Sequence, residues 1–346
     1  MEKMVKLKEN GFTVLDCFCG AGVGAVGTEL AGFNTIYAFD NNFHAVRNFN
    51  KNIKDVAKVI DANFLNINDL PCTDVITGGF PCKPWSVAGK GQGEKCEKNG
   101  NLAQKLIEII LEKKPKAFLI ENVKGLVNKK NFPYFEKMLE ILSTKYKNFW
   151  KVIDCSEYGV PQKRERVFII GISKKINKEF VFPEKSIKKY SINDALVGLP
   201  EFPDGKNNHE YHKSWTIRKD EEPFVHKISI GGNWKDLNED DAKVFMKKAW
   251  YSGGGQTSYL AVMDRNKPAR TILSTPMGKN TAQILRLSDG SHRRYTVRES
   301  LRLQTVPDSW GFDKETPIRI QYERCSGIPC LISYKLMKNL IDVLKD

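Results

Sequence analysis

The chain has 346 residues, with 55 Lys and Arg against 41 Asp and Glu and a formal net charge of +14. Its length excludes a small stapled scaffold and suggests about two domains, at roughly 100 to 200 residues each. With 41% hydrophobic residues and no apolar run of the ~18 that a membrane helix needs, it reads as a soluble protein whose charge favours polyanionic partners.

Met1 to Asn10 contain no apolar stretch of signal-peptide type, and a cytoplasmic protein is expected. The eight cysteines form no CxxC pair and no zinc-finger spacing with His. No bound metal is therefore expected, and most thiols read as small buried side chains.

In chain order, short apolar runs predict strands at Thr13–Cys17, Thr35–Phe39, Val56–Ile60, Asp74–Thr77 and Ala117–Ile120. Between the last two, Leu102, Leu106, Ile109 and Ile110 share one helical face, and Pro115 ends that helix. A further strand is expected at Arg166–Ile172. This alternation is the pattern of βα units and a parallel sheet. From about Lys174 the texture turns irregular, rich in Pro, Gly and Asn, and predicts a second domain. Ile332, Leu336, Leu340 and Val343 then return to helical spacing and predict a closing helix packed on the first domain.

Charge is uneven. Lys174 to Arg265 carries 16 Lys or Arg against 14 acids, whereas Arg265 to Arg302 carries nine against two, or +7. That second stretch is read either as a solvated basic face or as a surface that tracks phosphates.

Three segments carry candidate chemistry. After the first strand, Gly22, Gly24 and Gly27 satisfy GxGxxG, either as a nucleotide-binding loop or as a tight turn packing a helix on the sheet. Asp40 closes the second strand, where a carboxylate can accept ribose hydroxyls. Asp16, just before the glycines, would repel a pyrophosphate but suits a ligand carrying an ammonium group. That favours S-adenosylmethionine over a dinucleotide. Asp61, past the third strand, is placed either to meet an adenine amino group or to cap a turn.

The loop Gly78-Gly79-Phe80-Pro81-Cys82-Lys83-Pro84-Trp85-Ser86 follows the fourth strand, at the carboxyl ends of the strands where ligands bind in open α/β folds. Two prolines stiffen it and Lys83 adds a cation, so Cys82 reads as a positioned thiolate or as part of a rigid buried loop. Glu121-Asn122-Val123 ends the fifth strand, and Glu121 can serve as an acid or hydrogen-bond donor. Arg164 and Arg166, alternating in an extended segment, can orient an anionic or carbonyl oxygen.

Together, in this order, these segments resemble the DNA (cytosine-5)-methyltransferase family of bacterial restriction-modification type over nearly the whole chain. Asp16 to Gly24 is similar to its cofactor loop, Pro81-Cys82 with Ser86 to its nucleophile motif, Glu121-Asn122-Val123 to its ENV motif, and Gln162, Arg164 and Arg166 to its QxRxR motif. Arg270-Thr271-Ile272 and Gln321-Tyr322 resemble its last two blocks.

The resemblance implies a Rossmann-like α/β S-adenosylmethionine-dependent methyltransferase domain over 1–173, completed by 304–346. A smaller, irregular target-recognition domain would occupy 174–303. It implies cofactor contacts from Asp16, Phe18, Gly20, Gly22, Gly24, Asp40, Asp61, Pro81, Leu102 and Ser326. Catalysis would fall to Cys82, Glu121, Arg164 and Arg166, and substrate contact to Phe80, Ser86, Asn122 and Gln162.

The implied reaction is methyl transfer to carbon 5 of a flipped-out cytosine in double-stranded DNA, through a covalent Cys82 adduct. A monomer is expected, with a cognate restriction endonuclease acting separately. Two departures stand out. Val23 replaces a usual Gly, and Cys325-Ser326-Gly327-Ile328-Pro329 replaces Gly-Asn-x-Val-Pro, which points to weaker cofactor binding.

Three rival readings share some of these features. A tRNA cytosine-5 methyltransferase shares the chemistry, but Val160-Pro161-Gln162-Lys163-Arg164 resembles the DNA branch and no Cys-Phe-Thr tripeptide occurs. An NAD-dependent oxidoreductase leaves Cys82, ENV and QxRxR unexplained. A catalytically silent DNA-binding relative is motivated by the altered Ser326 block.

Overall fold

The computed structural model describes residues 2–81, 101–203, 210–252, 258–275, 278, 281 and 283–345. Strands β1 (Thr13–Cys17), β2 (Asn34–Asp40), β3 (Ala57–Val59), β4 (Val75–Gly78) and β5 (Ala117–Val123) alternate with helices α1 (Val23–Leu30), α2 (Phe43–Asn52) and α3 (Asn101–Lys113). Helix α4 (Phe132–Ser143) leads into β6 (Tyr146–Asp154) and β7 (Glu165–Ser173). These strands form one seven-stranded sheet in the order β3-β2-β1-β4-β5-β7-β6.

Neighbours among β1 to β5 are parallel, as expected. The expectation of an all-parallel sheet needs correction at one edge: β7 runs antiparallel to both β5 and β6. Direction is invisible to local pattern, because a strand buried on both faces has the same apolar run either way. β6 has no counterpart among the expected strands. As an edge strand it is buried at few positions, so Lys147, Asn148 and Lys151 break its apolar pattern.

Alternate residues of the central strands point to opposite faces. Leu15, Ile76, Phe118, Ile120 and Ile169 pack one face with α3 and α4. Val14, Val75, Leu119, Phe168 and Ile170 pack the other. Helix α10 (Cys330–Leu344), the expected closing helix, lies on this second face through Leu331, Leu336, Leu340 and Val343. Phe180 joins the same core.

The second half is built from short pieces: α5 (Ile192–Leu196), α6 (Glu222–Val225), α7 (Glu239–Met246), β8 (Ala261–Val262), β9 (Gln283–Arg286), β10 (His292–Arg294), α8 (Val297–Leu303) and α9 (Ile318–Arg324). Its three-stranded sheet, β10-β9-β8, divides two cores. Ala261 and Leu285 face one that includes Leu301, Trp310 and Tyr322, while Val262 and Ile284 face Phe224 and Phe245. Among the described residues, no helix is long and apolar enough to cross a membrane.

Candidate active site

The chain order of the sheet reverses between β1 and β4, which opens a crevice at the carboxyl ends of those strands. Asp16 lies in β1, in register with Thr77 of β4, whose hydroxyl donates to Asp16 Oδ1 at 2.8 Å. Burial, helped by the carboxylates of Asp40 and Glu29, pushes the Asp16 carboxyl up to about 7 against the pull of that hydrogen bond. The charged neighbours that shape its acidity are thus all of its own sign. A ligand bearing an ammonium group would relieve this.

Beyond Asp16 the backbone turns sharply. Phe18 at φ 58°, Gly20 at φ 55° and Gly22 at φ 83° occupy the left-handed region, where glycine is at no disadvantage and phenylalanine is strained. The Phe18 ring is held edge-on against Phe39 at 5.5 Å. Asp40 fixes the turn from β2: Oδ2 accepts from Gly20 N at 3.0 Å and Oδ1 from Asn42 N at 2.9 Å.

Gly24 packs against Ile328, where an added Cβ would lie 3.3 Å from that side chain's Cβ. The segment containing Ser326 therefore borders the loop, and Val23, the other departure from the family pattern, meets Gly327 there. Asp61 is exposed and caps a short 3-10 turn, its Oδ1 accepting from Asn63 N at 2.9 Å. Leu102 is buried in the core between α3 and the sheet.

A second cluster forms where β4 and β5 end and β7 begins. Glu121 and Arg166 are diagonal neighbours across the antiparallel β5–β7 pair, with Arg166 Nε 3.0 Å from Glu121 Oε1. Gly79 makes room for this pair: a Cβ there would stand 3.3 Å from Glu121 Oε2. Asn122 is 2% exposed, and its Nδ2 donates to the Phe80 carbonyl at 3.1 Å. That bond ties the β4 exit, with buried Phe80 and half-buried Pro81, to the end of β5. Cys82 and Ser86 lie outside the described residues.

Gln162 and Arg164 occupy a seam rather than an open surface. Gln162 is wholly buried, donating from Nε2 to the Leu303 carbonyl at 3.1 Å and accepting from Ile272 N at 2.8 Å. Arg164 Nη1 donates to the Ile272 carbonyl at 3.2 Å. Lys163 N donates to Ala269 O at 2.8 Å, so the entry to β7 is stitched to the segment Ala269–Ile272. Arg270 of that segment is half-buried, and burial lowers its pKa.

The basic stretch from Arg265 to Arg302 is corrected by the structure. Arg293 is bidentate to Glu299 at 2.7 Å, and Arg294 reaches Glu221 at 2.6 and 2.7 Å, with all four side chains buried. Arg298, 4% exposed, donates to the Trp310 carbonyl at 3.1 Å and stacks on Tyr211. Arg302 donates to Asp308 at 2.9 Å, Arg286 to the Ile228 carbonyl at 2.7 Å, and Arg265 pairs with Glu201. These guanidiniums hold the second half together. Most of their partners lie outside the stretch, so a local charge count could not see them.

Sequence reasoning missed Thr77 as the Asp16 partner. The available signal was a polar β-branched residue at the end of the apolar run Val75-Ile76, in register with Asp16. It also missed Gly79 as the space beside Glu121.

A seven-stranded α/β sheet with a glycine turn and two carboxylates at its switch point has the Rossmann-like methyltransferase architecture. Residues 12–341 match the model of the C-5 cytosine-specific DNA methylase family, and the chain belongs to that family. It is a DNA cytosine-5-methyltransferase.

Two relatives align over nearly the whole of this chain. The chain is 32% identical to type II methyltransferase M.Sau96I of Staphylococcus aureus, covering 97% of this chain and 77% of the relative. It is 30% identical to type II methyltransferase M.Eco47II of Escherichia coli, covering 98% and 81%. The solved structure of the Entamoeba histolytica methyltransferase EhMeth superposes with a TM-score of 0.70 at 17% identity, over 98% of this chain and all of that one. That likeness concerns the fold.

Proposed function

We propose that the methyl donor is S-adenosylmethionine and that the target cytosine, in a specific double-stranded DNA sequence, is attacked by Cys82 after flipping from the helix. The observation that carries this reading is the Glu121–Arg166 pair at 3.0 Å, set beside Gly79 and joined through Asn122 to the Phe80 carbonyl, two residues before Cys82.

The residues at the switch point fit the donor. Asp16, surrounded by like charge, takes its ammonium group, Asp40 its ribose hydroxyls and Asp61 its adenine amino group. Phe18, Gly20, Gly22 and Gly24 shape the floor, with Pro81, Leu102 and Ser326 as further contacts. Bound there, S-adenosylmethionine supplies an electrophilic methyl group on a sulfonium.

Carbon 5 of cytosine is too weak a nucleophile to take that group directly. The Cys82 thiolate adds to carbon 6, making carbon 5 electron-rich. Glu121 at ring nitrogen 3, with Arg166 beside it, stabilises the adduct. After carbon 5 is methylated, its proton is removed and the C6–S bond breaks, which returns the Cys82 thiolate and the aromatic ring. Phe80, Ser86 and Asn122 shape the base pocket. Arg164 and Gln162 act by positioning, since their polar ends bind the backbone of Ile272 and Leu303.

Residues 174–303 form the target-recognition domain, and 1–173 with 304–346 the catalytic domain. Flipping costs a few kcal/mol, which contacts to the duplex offset. The chain acts as a monomer, and the names of the type II relatives support a cognate restriction endonuclease that acts separately in the cell.

Bisulfite sequencing of DNA from cells expressing the chain tests base and sequence context together, and a protected cytosine in one recurring context is expected. In a radiolabelled assay that offers duplex DNA and tRNA side by side, label confined to tRNA would refute the reading.

A further inference from the structure

We infer that Gly327 is a positioning residue for the methyl donor, acting through Val23 on the glycine loop. The inference rests on the cofactor reading above and deepens it. Val23 stands between Gly22 and Gly24 and opens α1, with its side chain 3% exposed. Gly327 is pressed against it: a Cβ at position 327 would lie 3.0 Å from Val23 Cβ and 3.4 Å from Val23 Cγ1. Ordinary carbon contacts are longer, so any side chain at 327 must displace one of the two segments by a few tenths of an ångström.

Neither segment is free to give. The Cys330 thiol donates to the Val23 carbonyl at 2.8 Å, and Cys330 N donates to Gln304 O at 3.0 Å. One turn further along α1, a Cβ on Gly27 would stand 2.2 Å from the Cys330 carbonyl oxygen. The run from Gly327 to Cys330 is thus fitted against Val23, Gly24 and Gly27 at three successive points. Pushing Val23 away moves Gly22 and Gly24, whose backbone forms the floor of the donor site. Pushing Gly327 away moves the adjoining Ser326. The absent side chain at 327 and the branched one at 23 are therefore one unit: the space that Val23 fills is the space that Gly327 leaves.

The test is a double-mutant cycle read by calorimetric binding of S-adenosylmethionine to the full chain, with the thermal midpoint measured without ligand. Gly327→Ala is expected to weaken binding roughly tenfold, as overpacking of a fixed contact does. Val23→Gly opens a void and weakens binding less. In the double variant the alanine methyl at position 327 enters that void and affinity returns to within about threefold of the parent, a coupling typical of touching residues.

The thermal midpoint of the double variant stays below the parent, because a glycine remains in α1. Affinity restored without stability is what a merely structural role would not produce. If Gly327→Ala does not fold alone, a double variant that binds within about threefold of the parent at a thermal midpoint still below it supports the inference, and an unfolded or weakly binding one overturns it. Equal effects of Gly327→Ala in both backgrounds, or none in either, also overturn it. Absence of binding by the parent chain removes the cofactor reading together with the inference, whereas a binding parent with uncoupled variants removes the inference alone.

Discussion

The strand-end face of the large sheet and the arginine-rich stretch of the second half use charge in opposite ways. At the switch point, Asp16 and Asp40 stand near each other, and no cation is among the neighbours that shape the Asp16 acidity. In the stretch from Arg265 to Arg302, Arg293 and Arg294 are met inside the fold by Glu299 and Glu221, and Arg265 and Arg302 nearer the surface by Glu201 and Asp308. One region leaves charge for a ligand to satisfy, and the other satisfies it internally. Net charge therefore says little about where a polyanion is gripped. A buried, bidentate arginine contributes as much to the total as an exposed one and offers nothing to a phosphate.

The contrast can be broken at several points. Cys82→Ser is expected to leave no measurable methyl transfer in a radiolabel assay while gel-shift affinity for the duplex is kept, and full activity would remove the nucleophile from the mechanism. In the second half, Glu221→Ala takes the buried carboxylate from the Arg294 guanidinium and should cost about 3 to 5 kcal/mol in denaturant unfolding. A loss near that of an exposed pair, under about 1 kcal/mol, would return Arg294 to the pool of surface cations.

Glu121→Gln keeps the size of the side chain and weakens its part in stabilising the adduct. Single-turnover rates should fall about a hundredfold with duplex affinity held.

Asp16 makes a finer distinction through pH. Because burial raises its pKa to about 7, the folded chain keeps a proton that an unfolded Asp loses near 3.9. The stability it contributes is therefore lost as pH rises from about 4 to about 7, and Asp16→Asn should flatten that part of the unfolding profile. Donor binding needs the carboxylate, so affinity should weaken up to about tenfold per unit as pH falls below 7. Calorimetry in buffers of different ionisation enthalpy should detect the proton released.

The smallest effect concerns Arg298. With its guanidinium spent on the Trp310 carbonyl and the Tyr211 ring, Arg298→Met should leave the salt dependence of duplex binding unchanged. Loss of a phosphate contact would instead lower the slope by about 0.9.

Legibility in the sequence followed the range of the interactions. Asp16, the glycines, Asp40 and Glu121 are set by position along single strands and turns, and the structure places them at the carboxyl ends of β1, β2 and β5. The pairing of Glu121 with Arg166 was less accessible. It depends on β7 running antiparallel to β5 in one register, and no local pattern encodes that direction. Gln162 shows the same limit: beside Arg164 and Arg166 it reads as part of one polar motif, yet its amide bridges Leu303 and Ile272, more than a hundred residues away.

Sequence by itself determined the alternation of strands and helices, the glycine turn with its flanking carboxylates, the closing helix and the family. These follow from hydrophobic period, backbone conformation at glycine and motif order, all short-range properties. Tertiary structure alone decided which arginines are spent in buried pairs, which way β7 runs, and that Val23 and Gly327 fill one space. Each depends on partners that only the folded chain brings within a few ångströms.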